Sequence, residues 1–93
     1  MQASAGIAAA VLRSLGNERR LLILCTLIGS GENSAGELAD AVGLSPSATS
    51  QHLSRMREDG LLESRREAQS VLYRIADPNL VSLIKLLKDL YCS

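Results

Sequence analysis

The sequence predicts a small, mainly helical fold that carries one β-hairpin, in the order α-α-α-α-β-β-α. Three observations predict it. Apolar residues recur at helical spacing in several segments of the 93-residue chain. Capping residues and glycines punctuate those segments at their ends. Between Leu61 and Ile75 the helical period gives way to strand character. The length fits one domain over residues 1–93, small enough that a staple, a metal or a partner chain must add to its stability.

Residues 3–15 are rich in alanine and place Ile7, Val11, Leu12 and Leu15 at helical spacing, with Gly16 as the stop. Asn17 caps the next helix, and Glu18 lies in its first turn. The body of that helix, Leu21 to Ile28, is apolar nearly all round, which places it at the centre of the domain. Residues 29–33 read as a loop. Ser34 and Glu37 form a capping box that opens a short helix, ended after Val42 by Gly43. Ser45-Pro46 is a cap followed by proline at the first helical position, and this helix runs to about Asp59 before Gly60. Residues 61–66 and 70–75 pair as a hairpin with the turn at Glu67-Ala68-Gln69. Asp77-Pro78 repeats the cap-then-proline signal and opens the last helix.

Composition narrows the function. Ten Lys and Arg balance ten Asp and Glu, so a basic, tail-type nucleic-acid binder is excluded. Two Tyr, with no Phe or Trp, argue against a protein that stacks single-stranded bases on aromatic platforms. No apolar run approaches the roughly 18 residues of a spanning helix. The N-terminus lacks the basic region of a secretory signal, so a cytoplasmic protein away from membranes is expected. Cys25 and Cys92 are too few for a secreted disulfide scaffold and are expected as thiols. No phosphate loop, cofactor fingerprint or His–Cys–acid set is present, so neither an enzyme nor a bound cofactor is expected.

Two helices joined by a tight Gly43-Leu44-Ser45 turn and followed by a hairpin describe a winged helix-turn-helix. In the helix after the turn, Leu53 and Met56 point inward. Ser47, Ala48, Thr49, Ser50, Gln51 and Arg55 are left as small or polar side chains that can enter a major groove. Gln suits adenine, Arg suits guanine, and Thr or Ala can touch a thymine methyl. The helix N-terminus capped by Ser45 can receive a phosphate. Arg65, Arg66 and Gln69 of the hairpin can reach a flanking phosphate or minor groove. His52 has two readings, a locally bonded packing residue or a contact to phosphate or base. Residues 45–74 carry five Arg against four acids, a weak electrostatic footprint, so binding must depend on specific contacts. A protein-interaction winged helix is the alternative reading of the same pattern.

The segment Ala39 to Leu62 resembles the DNA-reading segment of the ArsR/SmtB family of bacterial repressors. The resemblance lies in Leu44-Ser45, Ser47, Ser50 and His52-Leu53, followed by Met56-Arg57 and Gly60-Leu61, with Met56 where the family usually has Leu. Arg65 to Tyr73 matches the family's wing, and Asn17 to Leu21 the start of its second helix. The resemblance extends over essentially the whole chain. It implies a repressor that binds palindromic double-stranded operator DNA as a homodimer.

The last helix independently points to a partner. Its polar residues Ser82, Lys85, Lys88 and Asp89 form one narrow stripe, and the remainder is apolar over more than one face. With the Ala-rich first helix, that surplus is expected to pair with a second copy, as the family's terminal helices do.

The sensing chemistry is read from what the family's metal sites need. Glu37 to Ala41 lacks the Cys-x-Cys of the arsenic- and cadmium-type members, and the last helix lacks the His and acid pairs of the zinc type. No metal site is therefore assigned, with a metal-responsive repressor kept as the alternative. Leu24-Cys25 and Leu90-Tyr91-Cys92 resemble the thiol-switch branch of the family, its persulfide and redox sensors. That resemblance implies a disulfide or longer sulfur bridge between Cys25 and Cys92, with sulfane sulfur or an oxidant as inducer.

Overall fold

The computed structural model describes residues 2–91, so Cys92 lies outside the described residues. Asn17 sets the first boundary. Its side chain accepts hydrogen bonds from the N–H groups of Arg19 at 2.9 Å and Arg20 at 3.1 Å. It thereby separates α1 (Gln2–Leu15) from α2 (Glu18–Ser30).

The second helix runs further than the sequence predicts. Gly29 and Ser30, read as loop, complete its last turn, and Gly31 ends it at φ 88° with its N–H bonded to the Leu27 carbonyl at 2.7 Å. A second departure follows directly. Asn33–Ser34 form a short strand β1, paired antiparallel with a later strand so that Asn33 faces Tyr73 and Ser34 faces Leu72. A two-residue strand has no period to read, and the pairing is made by residues about forty positions away. The predicted two-stranded hairpin is therefore part of a three-stranded sheet.

Local signals position the remaining elements. Ser34 accepts from the Glu37 N–H at 3.2 Å while the Glu37 carboxylate accepts from the Ser34 N–H at 2.8 Å, opening α3 (Ala35–Val42). Gly43, at φ 69°, closes it in the left-handed region. Ser45 caps α4 (Pro46–Glu58) by accepting from the Ala48 N–H at 3.1 Å. Strands β2 (Leu62–Glu67) and β3 (Ser70–Ile75) pair antiparallel, giving the sheet order β1-β3-β2. Asp77 accepts from the Asn79 N–H at 2.9 Å ahead of α5 (Pro78–Tyr91).

The core sits where the helices meet the sheet. Ile23, Leu24 and Leu27 of α2 pack with Leu38 and Val42 of α3, Leu53 and Met56 of α4, Leu61 and Leu62, and Leu80 and Ile84 of α5. The stretch of α2 that is apolar nearly all round thus supplies the centre of the core through Ile23, Leu24 and Leu27, while Leu22 is exposed. On α5, Ser82, Lys85 and Asp89 are exposed, but Lys88 is half-buried, so the polar stripe is narrower than the sequence predicts. Among the described residues, no helix is long and apolar enough to cross a membrane.

The β2–β3 turn consists of Ala68 and Gln69, because Glu67 pairs with Ser70. Ala68 has φ 55°, a left-handed conformation that costs a residue with a Cβ about 1–2 kcal/mol. Ala68→Gly is therefore expected to stabilise the fold by roughly 0.5–1 kcal/mol after its added unfolded-state entropy. Thermal unfolding would read this as a rise of about 2–8 °C. An unchanged or lower midpoint would show that the turn is unstrained.

Candidate nucleic-acid interface

The helix-turn-helix consists of α3 and α4, and three buried side chains decide which face of α4 looks outward. Leu53 and Met56 lie in the core, and Thr49 is buried one turn before Leu53. The opposite face carries Ser47, Ser50, Gln51, Ser54 and Arg55, which with Glu58 line one open depression along the helix. Its chemistry is short hydroxyls, one amide and one guanidinium, with a carboxylate at the far end. Short side chains allow close approach of the helix backbone, and amide and guanidinium are the groups that read base edges bidentately.

Most residues singled out in the sequence fall on or beside this face. Ser45 is exposed at the helix start, Ala48 is half-buried, and Ser47, Ser50, Gln51 and Arg55 are exposed. Thr49 requires correction. It is fully buried, and its hydroxyl donates to the Ser45 carbonyl at 2.9 Å, so it packs the helix and cannot meet a thymine methyl. Ser54 and Glu58 were missed by the sequence reading. Ser54 stands seven residues after Ser47 and four after Ser50, so helical spacing alone was enough to find it.

His52 takes the locally bonded reading. It is half-buried, and its Nδ1 accepts a hydrogen bond from Arg20 Nε at 3.2 Å, joining α4 to α2. This contact requires the neutral ring with its proton on Nε2. Burial, and secondly the charge of Arg20, hold His52 below its ordinary value of 6.5.

The wing is braced by arginines. Arg65 donates to both carboxylate oxygens of Glu32, at 2.7 and 2.8 Å, and to Glu67 at 3.3 Å. The charge-assisted bond from Arg65 holds Glu32 below the usual carboxylate range, and Glu32 in turn raises Arg65. Arg74 pairs with Glu63 across the two strands, and Arg57 donates to Ser64 at 3.1 Å, tying α4 to the base of the wing. Arg65, exposed on the wing, thus also tethers it to the segment before β1. Arg66 and Gln69 are exposed, and among the described residues Arg66 forms no ion pair.

Cys25 is half-buried on α2 and borders an apolar cavity of about 330 Å³ with Leu15, Leu21, Leu87, Lys88 and Tyr91. The other predicted sensing residue, Cys92, follows Tyr91 directly in the chain and lies outside the described residues. Among the described residues, no three His, Cys, Asp or Glu side chains converge as a metal site would need.

Comparison with known proteins gives this geometry a context. A family described as bacterial regulatory protein, arsR family, matches residues 17–64. Over 92 residues the chain is 53% identical to the HTH-type transcriptional regulator YgaV of Escherichia coli K12, a match spanning 99% of this chain and 93% of that protein. The structure of reduced HlyU from Vibrio cholerae superposes with a TM-score of 0.92 at 44% identity, covering 100% of this chain and 97% of that one. The transcriptional repressor BigR from Xylella fastidiosa superposes with a TM-score of 0.88 at 33% identity, covering 100% and 94% of the two chains.

The lowered basicity of His52 has a checkable consequence. The fold favours the neutral ring, so its contribution to stability is complete above pH 6.5 and is lost as pH falls through the lower folded midpoint. An NMR titration of the ring protons should show a midpoint below 6.5. Arg20→Gln should raise that midpoint only part of the way, because burial is the larger cause. A midpoint at or above 6.5 would mean the Arg20–His52 contact does not persist in solution.

Proposed function

This chain belongs to the arsR family of bacterial regulatory proteins and is a transcriptional regulator; we propose that it is a cytoplasmic homodimeric repressor of palindromic operator DNA, released or altered when Cys25 and Cys92 react with a persulfide or an oxidant. The observation that carries the DNA reading is the outward face of α4. Ser47, Ser50, Gln51, Ser54 and Arg55 project together from a helix whose other side is fixed in the core. Ser45, at the start of that helix, and Arg66 and Gln69, on the wing, are exposed and available for flanking phosphates.

The dimer reading is supported by apolar surface. Ile7 is 67% exposed and Leu12 63% on α1, while Leu90 is 63% and Tyr91 79% exposed on α5. An apolar groove runs between these helices, lined by Ile7, Ala8, Val11, Leu12, Leu80 and Leu83. A second copy covering this surface would set two α4 helices on two half-sites.

The thiol reading is supported by the family branch and by placement. Cys25 and Tyr91 border one cavity, and Cys92 is the next residue. In the proposed reaction one cysteine thiolate attacks the sulfane sulfur of a persulfide and displaces a thiol, becoming a persulfide itself. The second cysteine thiolate then attacks the inner sulfur, forming the disulfide and releasing hydrogen sulfide. With peroxide, the two thiols lose two hydrogens and the peroxide is reduced to water. A bridge between α2 and the end of α5 would favour one of two dimer arrangements covalently.

Two outcomes test this reading by fluorescence anisotropy on an operator duplex. Gln51→Ala is expected to cost about 1–3 kcal/mol on the preferred sequence and little on others. Equal binding by the variant and the wild-type chain would remove Gln51 from base reading. Cys25→Ser and Cys92→Ser should each bind DNA as the reduced wild type does, yet no longer respond to polysulfide. A full response from either single variant would defeat the pairwise switch. Tight binding of one zinc per chain with loss of DNA affinity would favour the metal-responsive alternative.

A further inference from the structure

Beside the outward face of α4 lies a second cavity, of about 240 Å³, between α1, α2 and α4. Its charged lining is Arg13 of α1, Arg20 of α2, Arg55 of α4 and Asp59 just after that helix, and Ser14, only 2% exposed, completes the inner wall. Three arginines from three helices thus line one small space with a single acidic residue.

The hydrogen bonds of these groups are mostly unassigned within the fold. Among the described residues, the side chains of Arg13 and Arg55 make no hydrogen bond or ion pair, and Asp59 makes no ion pair. Arg20 uses Nε to reach His52, and its two terminal nitrogens donate to nothing there. That contact fixes the Arg20 guanidinium beside the cavity. The contrast with the wing is direct, because Arg65 and Arg74 are each met by glutamate. A cavity lined by three arginines and one acid offers the donors and the net positive charge that a tetrahedral oxyanion takes.

We propose that this cavity binds a phosphate group, with Arg13, Arg20 and Arg55 as its donors. The source that the surroundings favour is a phosphodiester of the DNA backbone, because Arg55 also borders the outward face of α4. That assignment of source rests on α4 facing DNA. Free phosphate has the same chemistry, and binding it would make the cavity an effector site. Either source would couple α1 and α2 to the recognition helix through one anion.

Arg13 is the residue to change, because it lies on α1, is exposed, and bonds to nothing else among the described residues. Wild type, Arg13→Gln and Arg13→Lys are compared in full-length protein of equal thermal stability in chloride. In the first arm, anisotropy with a labelled mixed-sequence duplex is followed across a salt series. A backbone phosphate in the cavity predicts that Arg13→Gln weakens binding roughly three- to tenfold on every sequence and lowers the salt slope by about one, while Arg13→Lys keeps the slope. In the second arm, thermal unfolding without DNA is compared in inorganic phosphate and in chloride at equal ionic strength. Free phosphate binding predicts a higher midpoint in phosphate for the wild type that Arg13→Gln loses. An effect in the first arm alone assigns the DNA backbone, and in the second alone a free anion. No effect in either arm overturns the site and leaves DNA binding by α4 standing. If the wild type binds no duplex, it is the DNA reading that has failed, and the unfolding arm alone upholds or overturns the cavity.

Discussion

Burial of Leu53 and Met56, three residues apart on α4, fixes the rotation of that helix, and the character of its exposed face depends on this contact. Thr49 adds a third buried point one turn earlier and is held by its bond to the Ser45 carbonyl. With those positions inward, helical geometry leaves no choice but to present Ser47, Ser50, Gln51, Ser54 and Arg55 together. The core residues of α3 and β2 against which α4 packs are therefore part of the site in a physical sense. Removing Leu53 would cost about 2–5 kcal/mol in transfer and cavity terms, and would also loosen the rotation on which any groove contact depends.

Polar links do for the wing and the helix junctions what the core does for α4. Arg65 bridges to Glu32, Arg57 to Ser64, and Arg20 to His52, so three arginines each tie separate elements together. Of the chain's ten cationic side chains, Arg65 and Arg74 are each offset by a glutamate and add little to the attraction of DNA. What remains outward near α4 and the wing is chiefly Arg55 and Arg66. A protein of zero net charge with few uncommitted cations has to gain its affinity from shape and specific contacts.

Much of the fold was legible because its signals are local. Asn17, Ser34, Ser45 and Asp77 each bond to a backbone N–H within three residues, so the sequence shows both the cap and its partner. Gly43 ends α3 for a reason equally local, its left-handed backbone. What could not be read lies between distant residues. The strand at Asn33–Ser34 exists because β3 offers it an edge, and the tether of Arg65 depends on Glu32, thirty-three residues away. His52 showed two readings in sequence because its partner, Arg20, sits thirty-two residues earlier on another helix. Thr49 was misplaced for a subtler reason. A threonine beside two serines and a glutamine looks like part of a polar face, and only the packed rotation of α4 turns it inward.

The terminal helices complete the account. Apolar surface on α1 and α5 supports the proposed second chain, and Cys25 sits where α2 meets the end of α5, so a covalent event there would act on the elements proposed to hold the dimer. The central claim is that two copies present two α4 faces to one duplex. It is tested most directly by selecting bound sequences from a random duplex pool with the reduced, full-length protein. The account predicts an enriched inverted repeat whose half-sites are centred about one helical turn apart, roughly 34–36 Å, or a multiple of that. A pool that stays random, or that yields a single unpaired element, would contradict it.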